Sequence, residues 1–287
     1  MSVYIRQNAV PITYKAGDSW TILSQIEQGI KNKIEAAGTP LSDWDVQINR
    51  GILTGLNEAF IISSDVRNKL ISEDPKSAEI IRPILRGRDI FRDEIHFENI
   101  FLINTHNGYT DSEGNIVPRI DIDDYPAIKN WLDNGSWNSS PSKGNNYERL
   151  KKRTDQGDTP YNLRSLAYMD DFNSTKILWS DISIKPNFAL VDSEYLINNT
   201  AYMITGAMKN TVRLLNSAVT EWYLPRIATD LGKGIRYFKQ FVEQVPIPDL
   251  RVNPRLDEAI NSMEQDINQV LFDFYKFTDE EIAELLK

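Results

Sequence analysis

Arg82, Arg86, Arg88 and Arg92 crowd the stretch IIRPILRGRDIFR, residues 80–92, alternating with apolar residues and with Gly87 among them. A guanidinium offers parallel N–H donors that fit two phosphate oxygens or the major-groove edge of guanine. A glycine at that point lets the backbone come close to another surface. The competing reading pairs these arginines with Asp89, Asp93 and Glu94, holding the domain together. A second group, SKGNNYERLKKR (142–153), joins a Gly/Asn loop to a run of cations. Lys143, Arg149, Lys151, Lys152 and Arg153 suit phosphate, Asn145 and Asn146 add amide donors and acceptors, and Tyr147 can stack or donate. Its competing reading is a solvated helix face. A third group, Lys233 and Arg236 with Tyr237 and Lys239, shares its segment with Phe238 and Phe241, so that segment also packs inward. Lys233 and Arg236 complete the candidate DNA contacts.

Other chemistry finds little support. Cys is absent and only His96 and His106 are present, which removes disulfides, thiol nucleophiles and Cys zinc sites and argues against a histidine triad. RIDIDDY (119–125) offers Asp121, Asp123 and Asp124 to a hard cation but lacks the glycine and distal Glu of a calcium loop. VDSEY (191–195) has no lysine at the spacing of a metal-dependent nuclease core. No Walker loop, GxGxxG, GxSxG or HExxH occurs. The net charge of -9 is unevenly spread: residues 253–287 hold three cations against nine carboxylates, a net of -6. Most of the acidity therefore sits in the tail, and the remainder does not argue against a polyanionic partner.

The elements that must position these groups follow from periodicity. Ile22, Ile26, Ile30 and Ile34 predict a first helix capped at Asp18 or Ser19 and ended by Gly38 and Pro40. WDVQINRG (44–51) and AFIIS (59–63) read as strands joined through a turn at Thr54 and Gly55. Short helices are expected from Asp65, and from Asp74 with Pro75 in the first turn, the latter stopping before Pro83. NIFLINT (99–105) is strand-like, GYTDSEGN a hairpin loop and IVPRIDI its return. Asp124 is expected to cap YPAIKNWL, and 134–146 to be an exposed loop. Strands resume at 176–183, 188–192 and 201–205, followed by helices over 209–224 and GIRYFKQFV, with Pro246 and Pro248 marking a boundary. Leu256, Ile260, Met263, Ile267, Val270 and Phe274 form a heptad stripe, and Thr278 with Glu281 a capping box. No internal repeat or low-complexity tract is present.

In this order, GILTGLNEAFII, EIIRPILRGRDI, IFLINT, the YPAI..WL helix, R...LRSLAY, KILWSDIS, LLNSAVTEWYL and FVEQVPIP resemble the TaqI-like C-terminal specificity domain. This is the target recognition region of adenine-specific DNA methyltransferases and type IIG restriction-modification enzymes. The resemblance spans roughly Trp20 to Leu286, and the tail resembles the helical ending of such enzymes and of type I specificity subunits. Gly51, Thr54, Gly55, Asn57 and Phe60 match the first block, and Pro83, Leu85, Arg86, Gly87, Arg88, Asp89 and Ile90 the second. Such hallmarks fit a shared scaffold and backbone anchoring, which places base-reading residues between about Asn134 and Trp179. The resemblance implies an α+β fold with mixed sheets, flanking helices and a C-terminal helical segment. The sequence matches neither the methyltransferase NPPY-type tetrapeptide nor its glycine-rich cofactor loop.

The expected organisation is a specificity domain over 1–253 and a helical extension over 254–287. The expected function is sequence-specific recognition of duplex DNA, with Arg86 and Arg88 on phosphate and residues 134–153 reaching the groove. The chain itself is not expected to be an enzyme or to hold a cofactor. S-adenosylmethionine is expected in a catalytic methyltransferase domain of the same polypeptide or a separate subunit. No signal-peptide layout or long apolar run is seen, so the expected location is cytoplasmic, without a membrane partner. The alternative is a protein-interaction module using the acidic, heptad-bearing C-terminal helices.

Overall fold

Apolar runs between turn residues are short in this chain, and so are its strands. The computed structural model describes residues 23–262 and 266–287, which fall into two compact units. One comprises Val46–Ile182 and Asn187–Ala207, the other Met1–Asp45, Ser183–Pro186 and Met208–Lys287 as far as these are described.

The first unit carries most of the candidate contacts. Its strands are β1 (Gln47–Arg50), β2 (Ile61–Ser63), β3 (Ile81–Leu85), β4 (Ile100–Ile103), β5 (Tyr109–Thr110), β6 (Ile116–Val117), β7 (Lys176–Ser180), β8 (Phe188–Val191), β9 (Leu196–Ile197) and β10 (Ala201–Thr205). Its α-helices are α1 (Asn57–Phe60), α2 (Ser64–Glu73), α3 (Pro126–Asn134) and α4 (Asn146–Lys152). One sheet runs β8-β7-β10-β1, antiparallel throughout, with Met203 of β10 opposite both Leu178 and Asn49. Every residue of β10 is buried, as a central strand with both faces covered requires. A second sheet runs β9-β3-β4-β2, with β9 parallel to β3 and the other pairs antiparallel. The unit is thus α+β with one antiparallel and one mixed sheet, and its core joins Phe60, Ile84, Leu85, Leu102, Ile128, Leu132, Leu150 and Phe172.

Several elements differ from the sequence expectation. The strands on either side of Thr54 and Gly55 exist but do not form a hairpin: β1 pairs with β10 and β2 with β4. Asp74 caps only a 3-10 turn, Pro75–Glu79, and the arginine stretch continues as strand β3. Pro83 is tolerated inside that strand because the ladder changes partner there, β4 pairing with Ile81–Pro83 and β9 with Ile84–Leu85. Tyr125, not Asp124, occupies the N-cap of α3, with Pro126 in its first turn.

In the second unit a helix over Gln25–Ala37 is capped by Ser24 and Glu27, with Ile30 and Ile34 buried. The expected caps Asp18 and Ser19, and Ile22, lie outside the described residues. Thr39–Pro40 pairs with Pro246–Ile247, so the Pro-rich segment is a buried strand partner. The expected helix over 209–224 is divided at Asn216, and Ser217 caps the second half, Ala218–Ile227. GIRYFKQFV divides likewise, into a two-residue strand at Ile235–Arg236 and one helical turn at Lys239–Val242. The heptad stripe lies on two helices, Pro254–Asn261 and Ile267–Tyr275, with Met263 outside the described residues. Leu256, Ile260, Leu271, Phe272 and Tyr275 are buried, and Asp279–Leu285 starts from the expected Thr278/Glu281 box. No helix among the described residues is long and apolar enough to cross a membrane.

Candidate nucleic-acid interface

Short polar side chains in a turn compete for backbone hydrogen bonds, and the turn Ile197–Thr200 uses this to hold two sheets' ends together. Asn198 accepts from the Thr200 hydroxyl (2.6 Å), and that hydroxyl accepts from the Gly87 N–H (2.8 Å). The Asn198 N–H donates to Leu85 O (2.9 Å), while Gly51 and Ile52 donate to Ala201 O and Ile197 O. A Cβ on Gly51 would collide with the carbonyl of Asn198, and one on Gly87 with that of Thr200. Both glycine blocks singled out in the sequence therefore dock on one short segment.

This docking fixes the role of Arg86. Its Nε donates to Asp89 Oδ2 (2.9 Å) and its Nη2 to Asp89 Oδ1 (2.8 Å), and its own N–H caps the same carboxylate (2.7 Å). Asp89 is only 2 % exposed. The fork expected to meet phosphate closes an internal ring instead, because the 3-10 turn Gly87–Asp89 brings the acid back onto it. Arg82 is also engaged, by Asn173 Oδ1 and by the carbonyls of Ser193 and Glu194. Arg88 is exposed, with no side-chain partner among the described residues.

The basic arm divides the same way. Asn145 caps α4 by a capping box with Glu148, and buried Asn146 donates to Gly135 O (2.9 Å). Arg149 donates to Asn138 Oδ1 (2.7 Å) and Glu58 (2.6 Å) and lies over the Trp137 ring. Arg153 is 5 % exposed. Its guanidinium donates to the carbonyls of Thr54 (2.7 Å), Asp155 (2.8 Å), Pro160 (3.2 Å) and Asn162, and stacks on Phe60. Burial pushes it down to about 10, so it stays charged at neutral pH. Gly55 belongs to this node: its φ is +66°, and a Cβ would sit 3.1 Å from Asp155 N. Asn145, Asn146, Arg149 and Arg153, all expected on DNA, thus build the arm in this structure. Lys143, Tyr147, Lys151 and Lys152 are exposed, and none of the three lysines has an ion pair among the described residues.

Beyond the arm, residues 154–165 have no helix or strand, yet their polar groups are nearly all matched. Asn162 donates to Ile120 O (2.8 Å), Thr105 to Tyr161 O (2.7 Å), and Asn107 binds Asp158 and Ser165. The loop 138–146 is held likewise: Asn138 donates to Gly144 O (3.0 Å) and accepts from Ser140 N (3.2 Å). Lys176, 1 % exposed, donates to the carbonyls of Phe172, Ser174 and Asp192, and burial pushes it down to about 8. Sequence reasoning missed Lys176, because nothing local separates a buried cation from a surface one, and Asn198, because its partners Leu85 and Thr200 are set by the fold. In the second unit, Lys233 is exposed beside Gly232 (φ +79°), while Arg236 is half-buried over Phe238. Among the described residues no group of His, Cys, Asp and Glu is arranged to hold a metal.

An antiparallel sheet and a mixed sheet, with irregular loops held by buried cations and amides, define an α+β scaffold. The chain belongs to the TaqI-like C-terminal specificity domain family, whose model matches residues 82–247. That match includes RPILRGRDI and ends at VPI, whereas the GILTGLNEAF block lies ahead of it. Among solved structures, the chain is similar to the type IIL restriction-modification enzyme MmeI in complex with DNA, with TM-score 0.52 and 14% identity, covering 86% of this chain and 33% of that one. It is also similar to the type IIG restriction endonuclease BpuSI, with TM-score 0.55 and 14% identity, covering 91% of this chain and 31% of that one. The chain spans about a third of the length of these two structures. No curated protein matches it.

Proposed function

We propose that the chain is the DNA target-recognition part of a restriction-modification adenine methyltransferase, acting beside a catalytic domain that binds S-adenosylmethionine and carries out the transfer. The carrying observation is the arm: Tyr147, Lys151 and Lys152 on α4 and Lys143 in the turn ahead of it are exposed, the three lysines without an ion pair among the described residues, and the arm's base is fixed by Arg149 and Arg153. Mobile surface ammonium groups over a rigid base suit phosphate contacts, which supply most non-specific affinity. The alternative, a protein-interaction module, needs an exposed heptad stripe, and of that stripe Leu256 and Ile260 are buried and Ile267, Val270 and Phe274 half-buried. Titration of the folded chain against duplex DNA at low salt tests the reading. Binding with Kd of about 10⁻⁴ to 10⁻⁶ M that weakens as salt is raised supports it, and absence of binding to any duplex overturns it.

A further inference from the structure

We infer that Arg164 is a specificity-determining residue that reads the major-groove edge of a guanine, an inference that rests on the DNA-recognition reading above. Bidentate recognition of guanine O6 and N7 by an arginine needs a planar fork whose donors are not already engaged. Residues 134–179 contain Arg149, Arg153 and Arg164. The first two are engaged by Asn138 and Glu58 and by four carbonyls. The Arg164 side chain is 62% exposed, and among the described residues its guanidinium makes no hydrogen bond: its one ion pair there is with Asp155 Oδ1, 3.6 Å from Nη1.

The residues on either side of Arg164 are pinned. Leu163 N donates to Thr105 O (2.8 Å), and the Ser165 hydroxyl accepts from Asn107 Nδ2 (2.8 Å). Asp155 is equally fixed, its carbonyl held by Arg153 and its carboxylate by Thr154 (3.1 Å). A carboxylate held beside one nitrogen steers the guanidinium and leaves its remaining donors for a ligand. An arginine presented this way loses little freedom on binding, which favours discrimination between bases over a generic phosphate contact.

The test is selection of binding sites from a duplex pool with a randomised centre, using the full chain as wild type, Arg164→Ala, Arg164→Lys and Asp155→Asn, each checked by thermal melting. The wild type is expected to enrich a G·C pair at a defined position. Arg164→Ala should lose that preference by roughly 5- to 150-fold while keeping the others. Arg164→Lys, which lacks the fork, should not restore it, and Asp155→Asn should weaken it at the same position. Equal weakening of Arg164→Ala on all sequences would assign the residue to phosphate and overturn the inference, leaving the DNA-recognition reading intact. A wild-type chain that binds duplex without base preference, or an unchanged preference in Arg164→Ala, also overturns it. Failure of the wild type to bind duplex at all removes the reading and the inference together.

Discussion

Several arginines in this chain hold backbone carbonyls while most of its lysines face water, which follows from what each head group can satisfy. A guanidinium with five donors can answer several carbonyls at once, as Arg153 does for Thr54, Asp155, Pro160 and Asn162. An ammonium is strongly hydrated and is buried only where acceptors converge, as at Lys176. Arg86→Ala is therefore expected to act on stability, leaving the buried Asp89 without its partner at a cost of roughly 2–4 kcal/mol, read as a lowered denaturant midpoint with an unchanged slope. Lys176 gives a pH signature. Its folded value of about 8 lies below the ordinary lysine value, so between these the unfolded chain binds the extra proton. Stability should rise with pH from about 8 and fall back as pH drops through it, by up to about 3 kcal/mol over the full window. Tyr125, Tyr161, Tyr237 and Tyr275 are pushed up by burial and oppose this trend above their ordinary value. The clean comparison is therefore wild type against Lys176→Met in denaturant melts between about pH 8 and 9.5, where only the wild type should gain.

Among the elements, those with a period of their own were legible in the sequence, and those made by distant partners were not. The runs IFLI, KILW, FALV and AYMIT formed the strands their alternation and apolarity predict, and Thr278 with Glu281 formed its capping box. Sheet membership was hidden, because β1 and β2 look like neighbours across Thr54 and Gly55 while their partners lie in β10 and β4. The candidate site was legible as a region, since the arm and both glycine blocks were identified, but not residue by residue. Charge patterning cannot reveal that Arg153 turns inward onto Phe60 while Lys151 and Lys152, two and one positions earlier, remain exposed. The docking of both glycine blocks on Asn198–Thr200 yields a further expectation. Gly51→Ala and Gly87→Ala should each cost roughly 2–4 kcal/mol by overpacking, and the double variant should cost less than their sum because both displace the same segment. Chemical denaturation of the four proteins measures this directly.

At the scale of the whole molecule, a net charge of -9 coexists with a lysine-bearing arm because carboxylates concentrate in the C-terminal helices. Of the apolar stripe on those helices, Leu256 and Ile260 are buried and Ile267, Val270 and Phe274 half-buried. On the proposed reading, the family scaffold supplies rigid loops and the arm supplies charge to phosphate. Each phosphate contact by a cation contributes about 0.9 to the slope of log binding constant against log salt. The most direct test is that slope for the folded wild-type chain and for the Lys143→Ala/Lys151→Ala/Lys152→Ala variant on the same duplex. The account expects the variant to bind more weakly on every sequence, with a slope shallower by between about 1 and 3. A variant with wild-type affinity and an unchanged slope would contradict it.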